Sequence, residues 1–120
     1  MYKYFQLSES TGGGHTIQQL MPDLVKMLDT ARGIAGIPFI ITSGLRTQAE
    51  NIAVGGVPNS AHLSGLAADI AVTDATRQTI LKSLYTCGVP VFTEDCPNHI
   101  HVDIDASIHT LGWGIVSANG

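Results

Sequence analysis

Two short stretches carry side chains that could do chemistry: Ser60-Ala61-His62-Leu63-Ser64-Gly65-Leu66-Ala67-Ala68-Asp69, and His99-Ile100-His101-Val102-Asp103. On a strand, side chains alternate between faces, so His99, His101, Asp103 and Asp105 would share one side while Ile100, Val102 and Ile104 share the other. One side is core material. The other sets two imidazoles beside two carboxylates, groups that are costly to bury unless something pairs with them. A metal ion is such a partner. Zinc takes neutral histidine nitrogen and ionised aspartate oxygen at about 2.0–2.2 Å, and catalytic zinc sites use three protein ligands and keep one position open. Reading 67–72 as a second strand sends Asp69 to one face and Ala68, Ile70 and Val72 to the other. Asp69 and His101 would then aim at a common point, with His62 closing the set from a loop. The plainer alternatives are a buried hydrogen-bonded triad or a purely structural zinc site.

The pattern Ser60-x-His62-x-x-Gly65-x-Ala67-x-Asp69, followed by a late His-x-His, resembles the M15 family of zinc D-Ala-D-Ala carboxypeptidases and related peptidoglycan endopeptidases. The upstream run Ser43-Gly44-Leu45-Arg46-Thr47, with Asn51 and Val54-Gly55-Gly56 after it, is similar to the same family, so the resemblance extends over 40–105 in the family's order. It is strongest to the small single-domain members, including those of bacteriophages. The resemblance implies one catalytic zinc held by His62, Asp69 and His101. It also implies that His99 acts in catalysis while His101 binds metal. By position alone, His99 could equally be a fourth ligand or a neighbour exposed by strand alternation. An unassigned arginine reads as a solvated surface cation. The Ser-Gly-x-Arg match instead implies that Arg46 holds a substrate carboxylate or polarises the scissile carbonyl, tasks that suit a guanidinium fork. Other family members carry an acid three residues before the last ligand. Asn98 stands there in this chain and cannot act as a base, which leaves Glu94, Asp95 and Asp103 as the nearby carboxylates. Ser60 and Asn51 read as loop braces, Asp103 as a carboxylate that orients a histidine, and Asp105 as a solvated strand end. His15 and His109 belong to no motif and read as structural.

Those residues need a scaffold, and 120 residues with 44% hydrophobic content suffice for one domain over 1–120 with one substantial core. A net charge of -4 with six Lys plus Arg argues against broad attraction to nucleic acid or to an anionic membrane. The longest apolar run, 34–41, holds Gly and Pro and is too short to span a bilayer. Residues 1–8 lack the apolar core of a secretory signal, so a soluble product is expected, although a mature fragment would look the same. A monomer is the expected state. Cys87 and Cys96 are too far apart for a CxxC knuckle; free thiols are the favoured reading, and a bridge closing a short loop beside the 99–105 strand is the alternative if the protein meets an oxidising periplasm.

Residues 1–14 read as an extended lead-in and loop. Over 16–35, Ile17, Leu20, Met21, Leu24, Met27, Leu28 and Ala31 recur at helical spacing, with Pro22 marking a first turn near Met21 and Gly33, Gly36 and Pro38 ending the helix. The apolar, β-branched run 39–42 reads as a buried strand that delivers Ser43 to Arg46. Thr47 caps a short helix to about Val54, and 55–59 must be a loop. After the 67–72 strand, Asp74 is the expected N-cap of a helix over 75–85. A strand over 89–93, a turn over 94–98 and the 99–105 strand follow. Strands and helices do not alternate regularly, so the expected class is α+β, a small and mostly antiparallel sheet with flanking helices and the zinc site on the sheet face.

The expected reaction is zinc-dependent hydrolysis of a peptide bond in bacterial peptidoglycan, in the stem peptide or cross-link, by a carboxypeptidase or endopeptidase of the cell wall or periplasm, as in a phage lysis enzyme. A zinc-containing module that binds wall peptide without cutting it is the rival reading, and a wall-associated peptide binder without any water-activating group is a third.

Overall fold

In the computed structural model, which describes residues 2–109 and the backbone of 114–115, helix α1 spans Pro22–Ala35. The single domain read over 1–120 therefore extends outside the described residues. Pro22 occupies the first helical turn, where its missing N–H removes no helical bond, and Gly36 ends the helix in the left-handed conformation. Gly33 is not a terminator; it lies inside the last turns. Leu24, Val25, Met27, Leu28 and Ala31 are buried on one side, as their spacing requires. Helix α3, Arg77–Tyr85, adds Ile80 and Leu84 to the same core.

Among the described residues seven strands accompany them: β1 Ser10–Gly12, β2 His15–Thr16, β3 Ile41–Ser43, β4 Ala67–Ala71, β5 Phe92–Asp95, β6 His99–Asp103 and β7 Gly114–Ile115. β1, inside the stretch expected to be loop, pairs with β2 just after it in a small antiparallel hairpin, so Thr16 is in a strand rather than at the start of the helical pattern. The remaining five form one sheet in the order β3-β4-β6-β5-β7, antiparallel except for the β5–β7 pair. The architecture is α+β. Ile41, Ala68, Ile70, Ile100 and Val102 face the helices and join their core. Ile70 and Ile100 are register partners with no exposure, and burial of each stabilises the fold by about 1.5–3 kcal/mol.

Several boundaries differ from the sequence reading, each for a local reason. The run 39–42 was expected to be buried throughout, but β3 starts at Ile41 and lies at the edge of the sheet, and Ile40 is 61% exposed. Asp74 does not cap α3; Thr73 and Thr76 bond to each other's groups and turn the chain, so the helix begins at Arg77. Glu94 and Asp95 lie in β5 rather than in a turn, because their backbone pairs with His101 and Ile100. β6 ends at Asp103, and Asp105 instead caps a 3-10 turn, Ala106–Ile108, by accepting from Ser107 N–H.

Helix α2, Gln48–Ala53, starts with a capping box in which Thr47 and Glu50 satisfy each other's backbone N–H groups. Glu50 also receives His15 from β2 at 2.8 Å, which ties the hairpin to α2. That pair gives His15 a structural position away from β6. No helix among the described residues is long and apolar enough to cross a membrane.

Candidate metal centre

The face of the sheet turned away from the helices carries the polar residues. Register aligns Ser43 of β3, Asp69 of β4, His101 of β6 and Glu94 of β5 in one row across four strands. Directly paired residues project to the same side, so this row sets their side chains next to one another. His62 reaches the row from a 3-10 turn, Ala61–Ser64, that Ser60 caps by accepting from His62 N–H at 3.2 Å. Gly65 ends that turn at φ +74°, a conformation L side chains rarely adopt, and the chain then enters β4 directly. The spacing from His62 to Asp69 is thus one turn, one left-handed residue and half a strand.

Asp69 Oδ1 lies 3.2 Å from both His62 Nε2 and His101 Nδ1. The three potential ligand atoms lie within 4.8 Å of one another, and all three residues are buried. The far side of each imidazole is occupied. His62 Nδ1 donates to the carbonyl of Gly44 at 2.7 Å, which leaves Nε2 unprotonated toward Asp69 in the neutral ring. His101 Nε2 donates to Asp103 Oδ2 at 2.8 Å, which leaves Nδ1 as its inward nitrogen. Such outer partners orient metal-binding histidines and fix their tautomers.

Electrostatics favour a cation at this point. Burial alone would raise the Asp69 pKa, but its contacts with the His101 and His62 imidazoles outweigh it and hold the carboxyl well below its usual range. Burial would lower the His101 pKa, but its bonds to Asp103 and Asp69 push it up to about 9. The donor set, two imidazole nitrogens and one carboxylate oxygen, fits zinc.

Arg46 stands at the rim. Its backbone N–H bonds the carbonyl of His62 at 3.0 Å, and its guanidinium reaches Ser43 Oγ, Asn51 Oδ1 and Asp69 Oδ2 at 3.1, 3.3 and 3.4 Å. Asn51 is buried and spans to the Val57 carbonyl at 2.8 Å, bracing the loop after α2. His99 projects from β6 on the same side, with Nε2 at 3.8 Å from Asp69 Oδ2. A cleft of about 400 Å³ opens over this ground, lined by Arg46, Asp69, Glu94, Cys96, His99 and His101 among others.

The other carboxylates separate by position. Asp95 is 48% exposed at its side chain and pairs with Arg77, outside the cleft. Asp103 is fully buried behind His101. Only Glu94, of the three carboxylates considered, lines the cleft. Cys87 and Cys96 are both free thiols. Burial, with Glu94 and Asp69 nearby, pushes the Cys96 thiol up in pKa, which disfavours the thiolate that a nucleophile would need. Sequence reasoning missed the Gly44 carbonyl, which has no side-chain signal, and His109, which belongs to no motif but bonds Asp103 at 2.9 Å.

Gly56 explains why a glycine follows Gly55 in the loop. A Cβ built there would overlap Asn51 Oδ1 and stand 3.2 Å from Arg46 Nη1. Gly56→Ala is expected to destabilise the fold by about 1–3 kcal/mol through this overpacking, read as a lower urea midpoint. An unchanged midpoint would show that the Asn51 brace yields freely.

Fold and site together define a small α+β domain with a buried three-donor centre suited to a divalent cation, two of whose donors, Asp69 and His101, line a surface cleft. The sequence profile of the family described as Peptidase M15 matches residues 3–103, and the chain belongs to that family. Its fold is similar to the crystal structure of Serratia marcescens L-Ala D-Glu endopeptidase ChiX, with a TM-score of 0.58 and 22% identity over 77% of this chain and 85% of that one. No curated protein matches the chain in sequence.

Proposed function

We propose that this M15-family peptidase is a zinc-dependent endopeptidase that hydrolyses a peptide bond in bacterial peptidoglycan. The observation that carries the reading is the convergence of His62 Nε2, Asp69 Oδ1 and His101 Nδ1 beside the cleft that Asp69 and His101 line, with the remaining imidazole nitrogens committed to Gly44 and Asp103. These three atoms would hold the ion. Zinc held there would supply Lewis-acid chemistry, making water acidic enough to ionise near neutral pH, about 7. The chain's own groups do the rest.

Arg46 orients the substrate by pairing with a carbonyl or carboxylate at the rim, where Ser43 and Asn51 fix its fork. His99 takes the proton of the attacking water. As the water oxygen bonds to the carbonyl carbon and the C–N bond breaks, His99 returns that proton to the leaving amine. Ser60 and Asn51 support the loops, and Asp103 holds His101.

Endopeptidase action is favoured over carboxypeptidase action by the shape of the rim. A second hollow of about 280 Å³, lined by Gly12, Gly13, His15 and Glu50, shares Arg46 and Val54 with the main cleft. A peptide longer than the residues at the metal centre could therefore run past Arg46 into this hollow. The similar fold of an L-Ala D-Glu endopeptidase supports the same choice of substrate class.

Digestion of purified peptidoglycan by the zinc-loaded protein, followed by mass spectrometry, is expected to release fragments with new amino termini inside the stem or cross-link. Arg46→Ala should keep its zinc yet lose turnover on the order of 10²-fold, as expected when a reactant is misplaced by about 1 Å. Release of terminal D-Ala alone would favour a carboxypeptidase. Absence of any product with zinc bound would leave the non-catalytic binding module.

A further inference from the structure

Asp103 is a carboxylate with no exposure, and its two oxygens serve different partners. Oδ2 accepts from His101 Nε2 at 2.8 Å, while Oδ1 accepts from the Asp105 backbone N–H at 3.1 Å and from His109 Nε2 at 2.9 Å. His109 lies outside the family match, which ends at Asp103. A second contact holds its ring. It stacks on Phe92 with centroids 3.9 Å apart and planes 24° from parallel, and Phe92 is the register partner of Asp103 across β5 and β6. The imidazole is thus clamped between an aromatic face and a buried carboxylate, with almost none of its side chain exposed.

We propose that His109 is a positioning residue for the metal centre, acting through Asp103 on His101. The Asp105 backbone N–H and His109 Nε2 converge on Oδ1 from two directions, and this pair of donors fixes the carboxylate plane more tightly than the backbone bond alone. That plane directs Oδ2 at His101 Nε2. With Nε2–H so held, His101 presents Nδ1 to Asp69 and His62. The 3-10 turn Ala106–Ile108 makes this reach possible by bringing the chain back over β5 after Asp103. Outer partners of metal-binding histidines contribute about 10–100-fold in metal affinity. His109, one bond further out, belongs at the lower end of that range.

The affinity arm of the test rests on the zinc reading above, and a second arm does not. Zinc affinity is measured by chelator competition for the full chain and for His109→Ala, His109→Phe and His109→Gln. The His101 Nε2–H signal is followed by NMR in the zinc-free protein. His109→Phe keeps a ring for Phe92 but removes the donor, so it separates packing from hydrogen bonding. His109→Ala and His109→Phe are expected to weaken zinc binding about tenfold and to broaden the Nε2–H signal through faster exchange, while His109→Gln, whose amide can donate, recovers part of both. Wild-type zinc affinity together with a sharp Nε2–H signal in His109→Phe would overturn the proposal and reduce His109 to packing. If the unaltered protein binds no zinc, the metal reading fails on its own. The NMR signal still decides whether His109 positions His101.

Discussion

His62→Ala and His101→Ala are each expected to bring zinc retained after dialysis close to zero and to abolish peptidoglycan hydrolysis. Apparent binding free energies for protein zinc sites are of the order of 10 kcal/mol, so losing one of three donors removes roughly 3 kcal/mol, about 10²-fold in affinity. The two variants should differ in stability. Each removes one imidazole from Asp69, but His101→Ala also strips a donor from the buried Asp103 carboxylate, a cost of about 1–3 kcal/mol, whereas His62→Ala also leaves the neutral Gly44 carbonyl without its imidazole partner. Elemental analysis and urea unfolding measure the two effects separately. Full zinc occupancy in both variants would rule out this ligand set.

His99→Ala is expected to bind zinc normally and to hydrolyse peptidoglycan about 10²–10⁴-fold more slowly, the range for loss of an acid/base group. The geometry narrows the contest for that role to two cleft-lining groups. His99 stands 3.8 Å from Asp69 Oδ2 on β6, and Glu94 faces His101 across the β5–β6 pair. Asp95 points to Arg77 and Asp103 is enclosed, so neither can meet a substrate. Glu94→Gln is therefore the decisive companion, since it keeps shape and hydrogen bonding while removing the base. Near-normal activity in His99→Ala, with Glu94→Gln inactive and still zinc-loaded, would transfer proton handling to Glu94.

Much of this arrangement was legible from residue order because it is local. The distance from His62 to Asp69 is set by one turn, a left-handed glycine and a strand, and the alternation of β6 separates Ile100 and Val102 from His99 and His101 within five residues. Helical spacing likewise marks the buried side of α1, and the Thr47–Glu50 box marks the start of α2. Where neighbours compete, local reading failed. Asp74 is a good cap by type, but Thr73 and Thr76 bond each other first. Residues 94–98 have turn composition, yet backbone pairing with β6 draws Glu94 and Asp95 into a strand.

Residue types and short-range periodicity by themselves determined where helices lie, though not where α3 begins, and the alternation of the site strands, because each depends on contacts within a few positions; the family motif in the sequence singled out the candidate ligands. Only the tertiary structure decided which strands lie side by side, and hence that Ser43, Asp69, His101 and Glu94 form one row. It also decided which nitrogen of each imidazole faces inward, because the Gly44 carbonyl and the Asp103 carboxylate come from other parts of the fold. His109 is the sharpest case. Nothing near it in sequence distinguishes it from a surface histidine, and its bond to Asp103 exists because the chain after β6 folds back onto Phe92. Register between strands and the return path of a loop are set by the packing of the whole core, a long-range free energy that no local pattern encodes.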